Sequence, residues 1–319
     1  MREPHFLQLH DLAAEPLVAE AVAGLRAPAA RASPKFFYDE LGSRLFDAIT
    51  ALDEYYPTRT EAAILATHGR DIVVAALQAM GPRGSLVDLG AGNCAKAARL
   101  FAALAPARYV ALDISVDFLR DALSALQRQH PGIDMVGVGL DFSKRLALPA
   151  GVLEGPALVF YPGSSIGNFS PDEALRLLRE CHVVAAGGGL LIGVDRVKPD
   201  ALLDAAYDDP LGVTAAFNLN LLRHLNRLIG SDFEPRQWRH VGAFNRAASR
   251  IEMHLEARAP LLVRWPGGER RFAAGERIHT ENSYKWEPAD FEALLREAGF
   301  RQVRGWTDGQ GWFSVMLAR

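Results

Sequence analysis

Two acids and two glycines near residue 90 have the types and spacing needed to bind a nucleoside-containing cofactor. Residues 86–92 read Leu-Val-Asp-Leu-Gly-Ala-Gly, and Asp113 follows the next apolar run. Glycines let the backbone approach a ligand closely, and an acid at the end of the second strand can accept hydrogen bonds from ribose hydroxyls. The pattern predicts where a cofactor binds and leaves open which cofactor it is.

The same segment fits a dehydrogenase or an S-adenosylmethionine-dependent methyltransferase. Residues 90–95, Gly-Ala-Gly-Asn-Cys-Ala, satisfy the G-x-G-x-x-A fingerprint of dinucleotide sites, which is a weak signal alone. Asp88, just before the first glycine, suits the methionine end of S-adenosylmethionine, and Asp141-Phe142 after the third strand suits adenine. The chain end is also compatible with an antiparallel final strand. The residues therefore favour a methyltransferase, with a dehydrogenase as the alternative.

Strands and helices alternate from about residue 85 to 198, and these elements would position the acids. Continuous apolar runs predict strands at 86–89, 109–114, 133–140, 158–161 and 189–194. Helices are predicted at 95–104, from an N-cap at Ser115 to about 130, and after Ser170, where Pro171 and Glu173 complete a capping-box pattern. This alternation predicts a parallel sheet covered on both faces, with ligands at the carboxyl ends of its strands.

A second region begins after residue 199. Residues 200–230 have a helical pattern, and residues 248–258 alternate and are expected to turn at Pro266-Gly267-Gly268 into a partner strand. A helix at 288–298 and a strand at 313–317 then resume the α/β order. We therefore predict four segments: 1–60, the amino-terminal helical part of a substrate domain; 61–198, the core; 199–284, an inserted substrate-binding segment; and 285–319, the end of the core.

Composition limits the classes of partner. The 319-residue chain is 49% apolar and has a formal net charge of −3, which argues against nucleic-acid or membrane-surface binding held mainly by charge. Cys94 and Cys181 are too few and too far apart for a disulfide framework or a zinc site. The start of the chain lacks a signal-peptide pattern, and no apolar stretch reaches membrane-spanning length. We expect a cytoplasmic monomer with a small-molecule substrate and no metal.

Four longer stretches resemble the histidine-specific N-methyltransferase family of ergothioneine biosynthesis. They are Ser-Pro-Lys-Phe-Phe-Tyr-Asp-Glu at 33–40, Glu-Tyr-Tyr-Pro-Thr-Arg-Thr-Glu at 54–61, Phe-Tyr-Pro-Gly-Ser-Ser-Ile-Gly-Asn-Phe at 160–169, and Ile-His-Thr-Glu-Asn-Ser-Tyr-Lys at 278–285. The resemblance runs from about residue 30 to the end. It implies a class I, Rossmann-like methyltransferase core with an added α+β substrate domain. It also implies that S-adenosylmethionine donates three methyl groups to the α-amine of L-histidine, giving hercynine.

The resemblance, together with the glycine-turn pattern, gives two sets of expected site residues. Those expected to contact the cofactor are Asp88, Gly90, Gly92, Lys96, Asp113, Asp141 and Phe142. Those expected to form the histidine pocket are Tyr38, Tyr56, Asn168, Tyr207, Met253, Glu281 and Ser283, with Tyr56 and Asn168 as the catalytic pair.

The side-chain chemistry is compatible with these roles. The Tyr56 phenol can accept a hydrogen bond from the amine or help a proton leave, and the Asn168 carbonyl can accept an N–H and aim the nitrogen lone pair. Glu281 and Ser283 point the same way in an extended chain, so they could hold both imidazole nitrogens. Asn282 and Tyr284 depart from the familiar pattern and are expected to face away from the pocket.

Three other functions remain as alternatives. The first is an S-adenosylmethionine-dependent N-methyltransferase for another amino acid's α-amine, against which Glu281 argues because a phenol or indole needs less anionic partnering. The second is an NAD-dependent dehydrogenase. The third is a non-catalytic S-adenosylmethionine-binding protein, against which Tyr56 and Asn168 argue.

Overall fold

A computed structural model describes residues 3–9 and 14–319. In chain order the helices are α1 (Ala14–Arg26), α2 (Glu40–Thr50), α3 (Tyr56–Met80), α4 (Ala95–Leu104), α5 (Val116–Gln129), α6 (Pro171–Ala185), α7 (Asp200–Tyr207), α8 (Val213–Ile229) and α9 (Pro288–Glu297). The strands are β1 (His5–Gln8), β2 (Ser85–Leu89), β3 (Arg108–Asp113), β4 (Asp134–Gly139), β5 (Ala157–Tyr161), β6 (Gly189–Asp195), β7 (Trp238–Asn245), β8 (Arg250–Ala257), β9 (Leu261–Trp265), β10 (Gly268–Phe272), β11 (Arg277–Tyr284), β12 (Val303–Thr307) and β13 (Phe313–Ala318).

The chain forms two compact units, each built from separate parts of the sequence. The first, called the core unit, contains Arg59–Val197, Trp286–Arg319 and the amino-terminal strand β1. The second, called the inserted unit, contains the described residues from 14 to 58 and Lys198–Lys285. Within residues 3–9 and 14–319, no helix is both long and apolar enough to cross a bilayer.

The core unit is built on an eight-stranded sheet in the order β1-β4-β3-β2-β5-β6-β13-β12. The strands from β1 to β6 pair in parallel, and β13 is antiparallel to both of its neighbours, β6 and β12. Strands β2, β5 and β6 are buried along their whole length, as expected for a sheet covered on both faces. The predicted fold class, α/β with a Rossmann-like, mostly parallel sheet, is confirmed, and β13 is the antiparallel strand with which the end of the sequence is compatible.

Local hydrogen bonds explain where two helices of the core unit begin. The Ser170 hydroxyl accepts from the backbone N–H of Glu173, whose carboxylate accepts from the backbone N–H of Ser170. This is the predicted capping box. Ser115 does precede α5, but its side chain makes no capping hydrogen bond. Its backbone N–H instead donates to the Asp113 carboxylate, so the acid at the end of β3 also holds the start of α5.

The amino-terminal strand corrects the assignment of residues 1–60 wholly to a helical part of the substrate domain. His5–Gln8 pairs in parallel with β4 as an edge strand of the central sheet. A Cβ added at Gly137 in β4 would lie 2.3 Å from the Phe6 ring, so the missing side chain makes room for this strand. Four residues ahead of a helical region give too little pattern to predict such pairing.

The inserted unit contains a three-stranded antiparallel sheet, β11-β8-β7, and a two-stranded hairpin, β9–β10. The predicted turn is present at Pro266 and Gly267, where Gly267 adopts a φ of 82°, but it joins β9 to β10. The expectation that residues 248–258 pair across this turn is wrong, because β8 pairs with β7 and β11 instead. Alternation identifies a strand without identifying its partner.

Candidate active site

The glycine turn after β2 is held against the end of β3. The backbone N–H groups of Gly90 and Ala91 both donate to the carbonyl oxygen of Leu112, over 2.9 and 3.0 Å. Gly90 and Gly92 have φ values of 67° and 52°, in the left-handed region that favours glycine. A Cβ at Gly90 would lie 3.8 Å from the Phe142 ring. The exposed backbone of this turn can therefore be approached closely by a ligand, as the cofactor prediction requires.

Asp113 lies beside the same turn at the carboxyl end of β3. One carboxylate oxygen accepts from the Gly92 N–H over 2.9 Å, and the other accepts from the Ser115 N–H over 2.8 Å. A carboxylate has about four lone-pair positions, so each of its oxygens can accept more than one hydrogen bond. A half-buried carboxylate fixed in this way is suited to the two hydroxyls of a ribose.

Asp141 and Phe142 follow β4 at the same edge of the sheet. The Phe142 ring packs edge-on against Tyr161, with 5.9 Å between the centroids. The Asp141 carboxylate accepts from the Ser143 hydroxyl. An acceptor next to an aromatic face is the combination that an adenine amine and ring would use. The structure thus brings Gly90, Gly92, Asp113 and Phe142 together within the core unit.

Asp88 lies beneath the turn rather than on its surface. Its carboxylate is buried and accepts from the Tyr109 hydroxyl over 2.7 Å. Burial raises the pKa of Asp88 to about 7, although the Tyr109 hydrogen bond opposes the change. The structure gives this acid an internal partner, and a cofactor contact through it stays a prediction.

Lys96 and Glu61 connect three segments of the core unit. The buried Glu61 accepts from the Lys96 ammonium over 2.8 Å with one oxygen, and from the Gly163 N–H over 2.7 Å with the other. Glu61 thereby joins α3 to the start of α4 and to the connection after β5. Glu61 is the last residue of the 54–61 stretch that carries the family resemblance, but the sequence did not predict it as a site residue.

Asn168 ends a short 3-10 helix, Ser165–Asn168, in the connection between β5 and α6. Within this connection the Ser164 hydroxyl accepts from the backbone N–H of Asp195 over 2.8 Å. Together with the Glu61 bond to Gly163, this contact fixes the segment at the carboxyl end of the parallel strands. The half-buried Asn168 amide is therefore carried by a segment that hydrogen bonds hold in place, at the sheet edge where ligands of such folds bind.

Tyr56 opens α3, and in the inserted unit it is paired with a buried lysine. Its side chain is 1% exposed, and its hydroxyl accepts from the Lys198 ammonium over 2.8 Å. Lys198 is 6% exposed. No sequence pattern indicated Lys198, because lysines are rarely buried and nothing in its spacing marks it. Tyr38 lies in an aromatic cluster of the same unit, 5.8 Å from the ring centroids of both Phe46 and Phe217.

An irregularity in β11 determines where Glu281 points. His279 lies across from His254 on β8, whereas Glu281 lies across from Met253, so the register shifts between His279 and Glu281. In a regular strand residues two apart share a face, and a bulge moves the following residues to the other face. The bulge therefore places Glu281 on the buried Met253 face, away from the side of the sheet that carries His254.

The neighbours of Glu281 follow from the same register. Ser283 lies across from Ile251, on the face of Met253, while Asn282 and Tyr284 lie across from Glu252 and Arg250. The Tyr284 hydroxyl accepts from Arg250, and Asn282 is hydrogen-bonded to the His279 ring. Asn282 and Tyr284 thus face away from Glu281 and Ser283.

Ser283, Tyr207 and Lys285 form a closed triangle of hydrogen bonds. The Lys285 ammonium donates to Ser283 over 2.7 Å and to Tyr207 over 3.1 Å, and the two hydroxyls are 2.8 Å apart. All three side chains are buried. The prediction placed Ser283 and Tyr207 in one pocket, and the structure brings them into direct contact. It missed Lys285, which continues the two-residue spacing of Glu281 and Ser283.

The electrostatics of this face are dominated by burial. Desolvation raises the pKa of Glu281 to about 8, and the positive charge of Lys285 opposes that rise. An acid with this pKa is poised to change protonation when a ligand that carries hydrogen-bond donors or a charge binds.

Comparisons with known proteins agree with this geometry. A family model described as "Histidine-specific methyltransferase, SAM-dependent" matches residues 17–319. A "Histidine N-alpha-methyltransferase" of Mycolicibacterium smegmatis is 42% identical over 97% of this chain and 96% of its own length. One of Mycobacterium tuberculosis is 39% identical over 94% of this chain and 93% of its own. "Ergothioneine biosynthesis protein 1" of Neurospora crassa is 32% identical, over 88% of this chain and 32% of its own length. The chain belongs to the S-adenosylmethionine-dependent histidine-specific methyltransferase family.

Proposed function

We propose that the protein transfers three methyl groups from S-adenosylmethionine to the α-amine of L-histidine, giving hercynine, a step of ergothioneine biosynthesis. The observation that carries the substrate assignment is the β11 bulge, which aims the Glu281 carboxyl onto the buried face beside Ser283. An acid and a hydroxyl on one face match the two nitrogens of an imidazole ring.

The proposed donor site consists of residues at the strand ends of the core unit. Asp113 would hold the ribose, and Asp141 and Phe142 would hold the adenine. The backbone of the Gly90–Gly92 turn would lie against the cofactor. Lys96, fixed by Glu61, would lie at the same edge. When bound, S-adenosylmethionine supplies an electrophilic methyl group on a positively charged sulfur.

The proposed histidine site is made of buried side chains of the inserted unit. Glu281 and Ser283 would bind the imidazole nitrogens, and Met253, across from Glu281, would pack against the ring. Tyr38 would approach the amine, and Tyr207, in contact with Ser283, would complete the pocket. These assignments rest on the family motifs together with the contacts described above.

The reacting amine needs a lone pair and a defined direction. An α-amine with a pKa near 8 costs only about 1.4 kcal/mol to deprotonate at pH 7. Placing amine and methyl in line is worth roughly 7–11 kcal/mol, so positioning should dominate the rate. We assign positioning to the Asn168 carbonyl, which can accept one N–H, and acceptance of the leaving proton to Tyr56.

The proposal extends to the oligomeric state, the compartment and the range of substrates. We propose that the enzyme works as a monomer in the cytoplasm, on histidine and its mono- and dimethylated forms. The nearly balanced charge of −3 supports a small-molecule substrate rather than nucleic acid.

The test is mass spectrometry of L-histidine incubated with the purified protein and S-adenosylmethionine, with tyrosine and tryptophan in parallel. We expect a product with three added methyl groups from histidine alone. Methylation of tyrosine or tryptophan instead of histidine would contradict the substrate assignment. No methylation of any amine would contradict the proposed reaction.

A further inference from the structure

Lys285 is a buried cation directly after β11, and the proposed reaction gives it no role. Its side chain is 2% exposed, and it donates to both Ser283 and Tyr207. Building on the proposed function, we propose that Lys285 is a positioning residue of the imidazole subsite. By holding the oxygens of Ser283 and Tyr207 as acceptors, it makes this hydroxyl pair a hydrogen-bond donor toward the ring. It thereby selects a substrate with an unprotonated ring nitrogen.

The direction of the hydrogen bonds follows from what each group can donate. An ammonium has three donors and no acceptor, so the oxygens of Ser283 and Tyr207 must both accept from Lys285. The two hydroxyls carry one hydrogen each, and their 2.8 Å contact uses one of these hydrogens. The second hydroxyl hydrogen is directed away from the triangle. Toward a ligand, the Ser283–Tyr207 pair therefore acts as a donor.

Glu281 completes the complement of a neutral imidazole. A neutral ring presents one N–H donor and one acceptor nitrogen, which match the Glu281 carboxylate and the hydroxyl pair. An imidazolium presents two donors and would set a second cation near Lys285. An indole offers only a donor, and a phenyl ring offers neither group. A site built to hydrogen-bond a substrate strongly rejects analogues that lack the matching group.

The surroundings of Lys285 indicate that its charge is held for binding rather than for stability. A buried ammonium is costly unless it is paired, and even a paired one is weak support for folding. Its partners include the two hydroxyls and the Tyr207 ring, whose centroid is 4.7 Å away. Its charge also favours the ionised form of Glu281, against the effect of burial. One ammonium thus supports both the donor and the acceptor of the subsite.

The backbone at Lys285 is fixed independently of its side chain, which allows a clean substitution. Its N–H donates to the Ser249 carbonyl, and its own carbonyl accepts from the Ser249 hydroxyl, both over 2.8 Å. Lys285→Met keeps an unbranched side chain, one atom shorter, and removes the charge and the donors. The strand should therefore keep its position in the variant.

The experiment measures histidine and phenylalanine binding by calorimetry, with S-adenosylhomocysteine present, and steady-state kinetics with histidine. In Lys285→Met we expect the Kd ratio of phenylalanine to histidine to fall about tenfold, as for loss of hydrogen bonds involving a charged group. KM for histidine should rise by a similar factor, with kcat changed less than about threefold. Arg264→Met, which removes an exposed cation of the same unit, should leave the ratio within about twofold of its original value.

A double-mutant cycle tests whether Lys285 acts through Ser283. Ser283→Ala alone should lower the same ratio about tenfold, and adding Lys285→Met should lower it by less than about threefold more. If the two substitutions lower the Kd ratio independently, so that the double variant shows the product of the two single effects, the proposal is overturned. An unchanged ratio in Ser283→Ala would also overturn it, and this result is informative even if Lys285→Met fails to fold. If the unmodified enzyme methylates histidine while these ratios stay constant, only the role of Lys285 is wrong; if it does not methylate histidine, the proposed function itself fails.

Discussion

Glu281 lies directly across from Met253 because one irregular step in β11 moves it off the face that carries His279. Bulges commonly re-aim side chains next to functional sites. Here the bulge puts an acid into a buried environment that raises its pKa to about 8, which a regular strand would have avoided. The cost of burying this acid suggests that it is kept for a ligand.

The first prediction concerns Glu281 itself. In Glu281→Ala we expect KM for histidine to rise about tenfold to 100-fold, since a hydrogen bond to a charged group contributes about 1.5–3 kcal/mol. KM for S-adenosylmethionine should change less than about threefold, because the proposed donor residues lie in the core unit. Steady-state kinetics with each substrate varied in turn provides the measurement.

The matched control is Asn282→Ala, on the opposite face of the same strand. It should change KM for histidine by less than about twofold, because its half-buried side chain bonds to the His279 ring and faces away from Glu281. Equal effects of Glu281→Ala on both substrates would rule out the imidazole role.

The second prediction concerns Asn168. In Asn168→Ala we expect turnover to fall by about tenfold to 100-fold, because the amine loses the acceptor that orients its lone pair. Binding of S-adenosylhomocysteine, measured by calorimetry, should stay within about threefold. Ser165→Ala, at an exposed position of the same short helix, is the control and should retain turnover. Intact turnover in Asn168→Ala would show that the amine anchor lies elsewhere.

The sequence predicted the parallel part of the core sheet well because buried parallel strands read as continuous apolar runs. The runs at 86–89 and 158–161 lie within one residue of strands β2 and β5. Strands β1, β7 and β12 were not predicted, because short or edge strands are only half-buried and their patterns are weak. The partner of β8 was wrong, because pairing depends on long-range packing that a local pattern does not contain.

The site residues divide along the same line. Glycines, strand-end acids and the Glu281–Ser283 spacing are local features, and the sequence indicated them. Lys198, Lys285 and Glu61 are charged groups that the fold buries. Charged residues are usually exposed, so only the three-dimensional contacts reveal that these three hold other site residues.

The third prediction is a pH dependence of stability caused by Asp88. Its pKa is about 7 in the folded protein, against 3.8 for the ordinary side chain, so the folded state binds a proton that the unfolded state releases between these values. The contribution of Asp88 to stability is therefore fully present below about pH 3.8 and is lost as pH rises through about 7. Asp88→Asn stays neutral and can still accept from Tyr109.

Thermal unfolding of both proteins from pH 5 to pH 8 measures this effect. The Tm of Asp88→Asn minus that of the original protein should increase with pH by several degrees. Tyr109→Phe is the companion variant: it removes a hydrogen bond that lowers the pKa of Asp88, so the loss of stability should move to higher pH. A constant Tm difference across the range would mean that Asp88 is already ionised when buried.

The fourth prediction is that Glu61 and Lys96 act as a unit in donor binding. Glu61→Gln keeps an acceptor for the Gly163 N–H but can no longer neutralise Lys96, and Lys96→Met leaves the buried Glu61 without that cation. Each change should weaken S-adenosylhomocysteine binding by about tenfold, because each breaks an ion pair whose acid, Glu61, is buried while Lys96 is half-exposed. The double variant should bind better than the product of the two effects predicts, with a coupling of about 0.5–3 kcal/mol measured by calorimetry.

Arg304→Met, which breaks the exposed ion pair with Asp71, is the control and should leave binding unchanged. If the increase in Kd of the double variant equals the product of the two single increases, Lys96 contributes to donor binding without being positioned by Glu61.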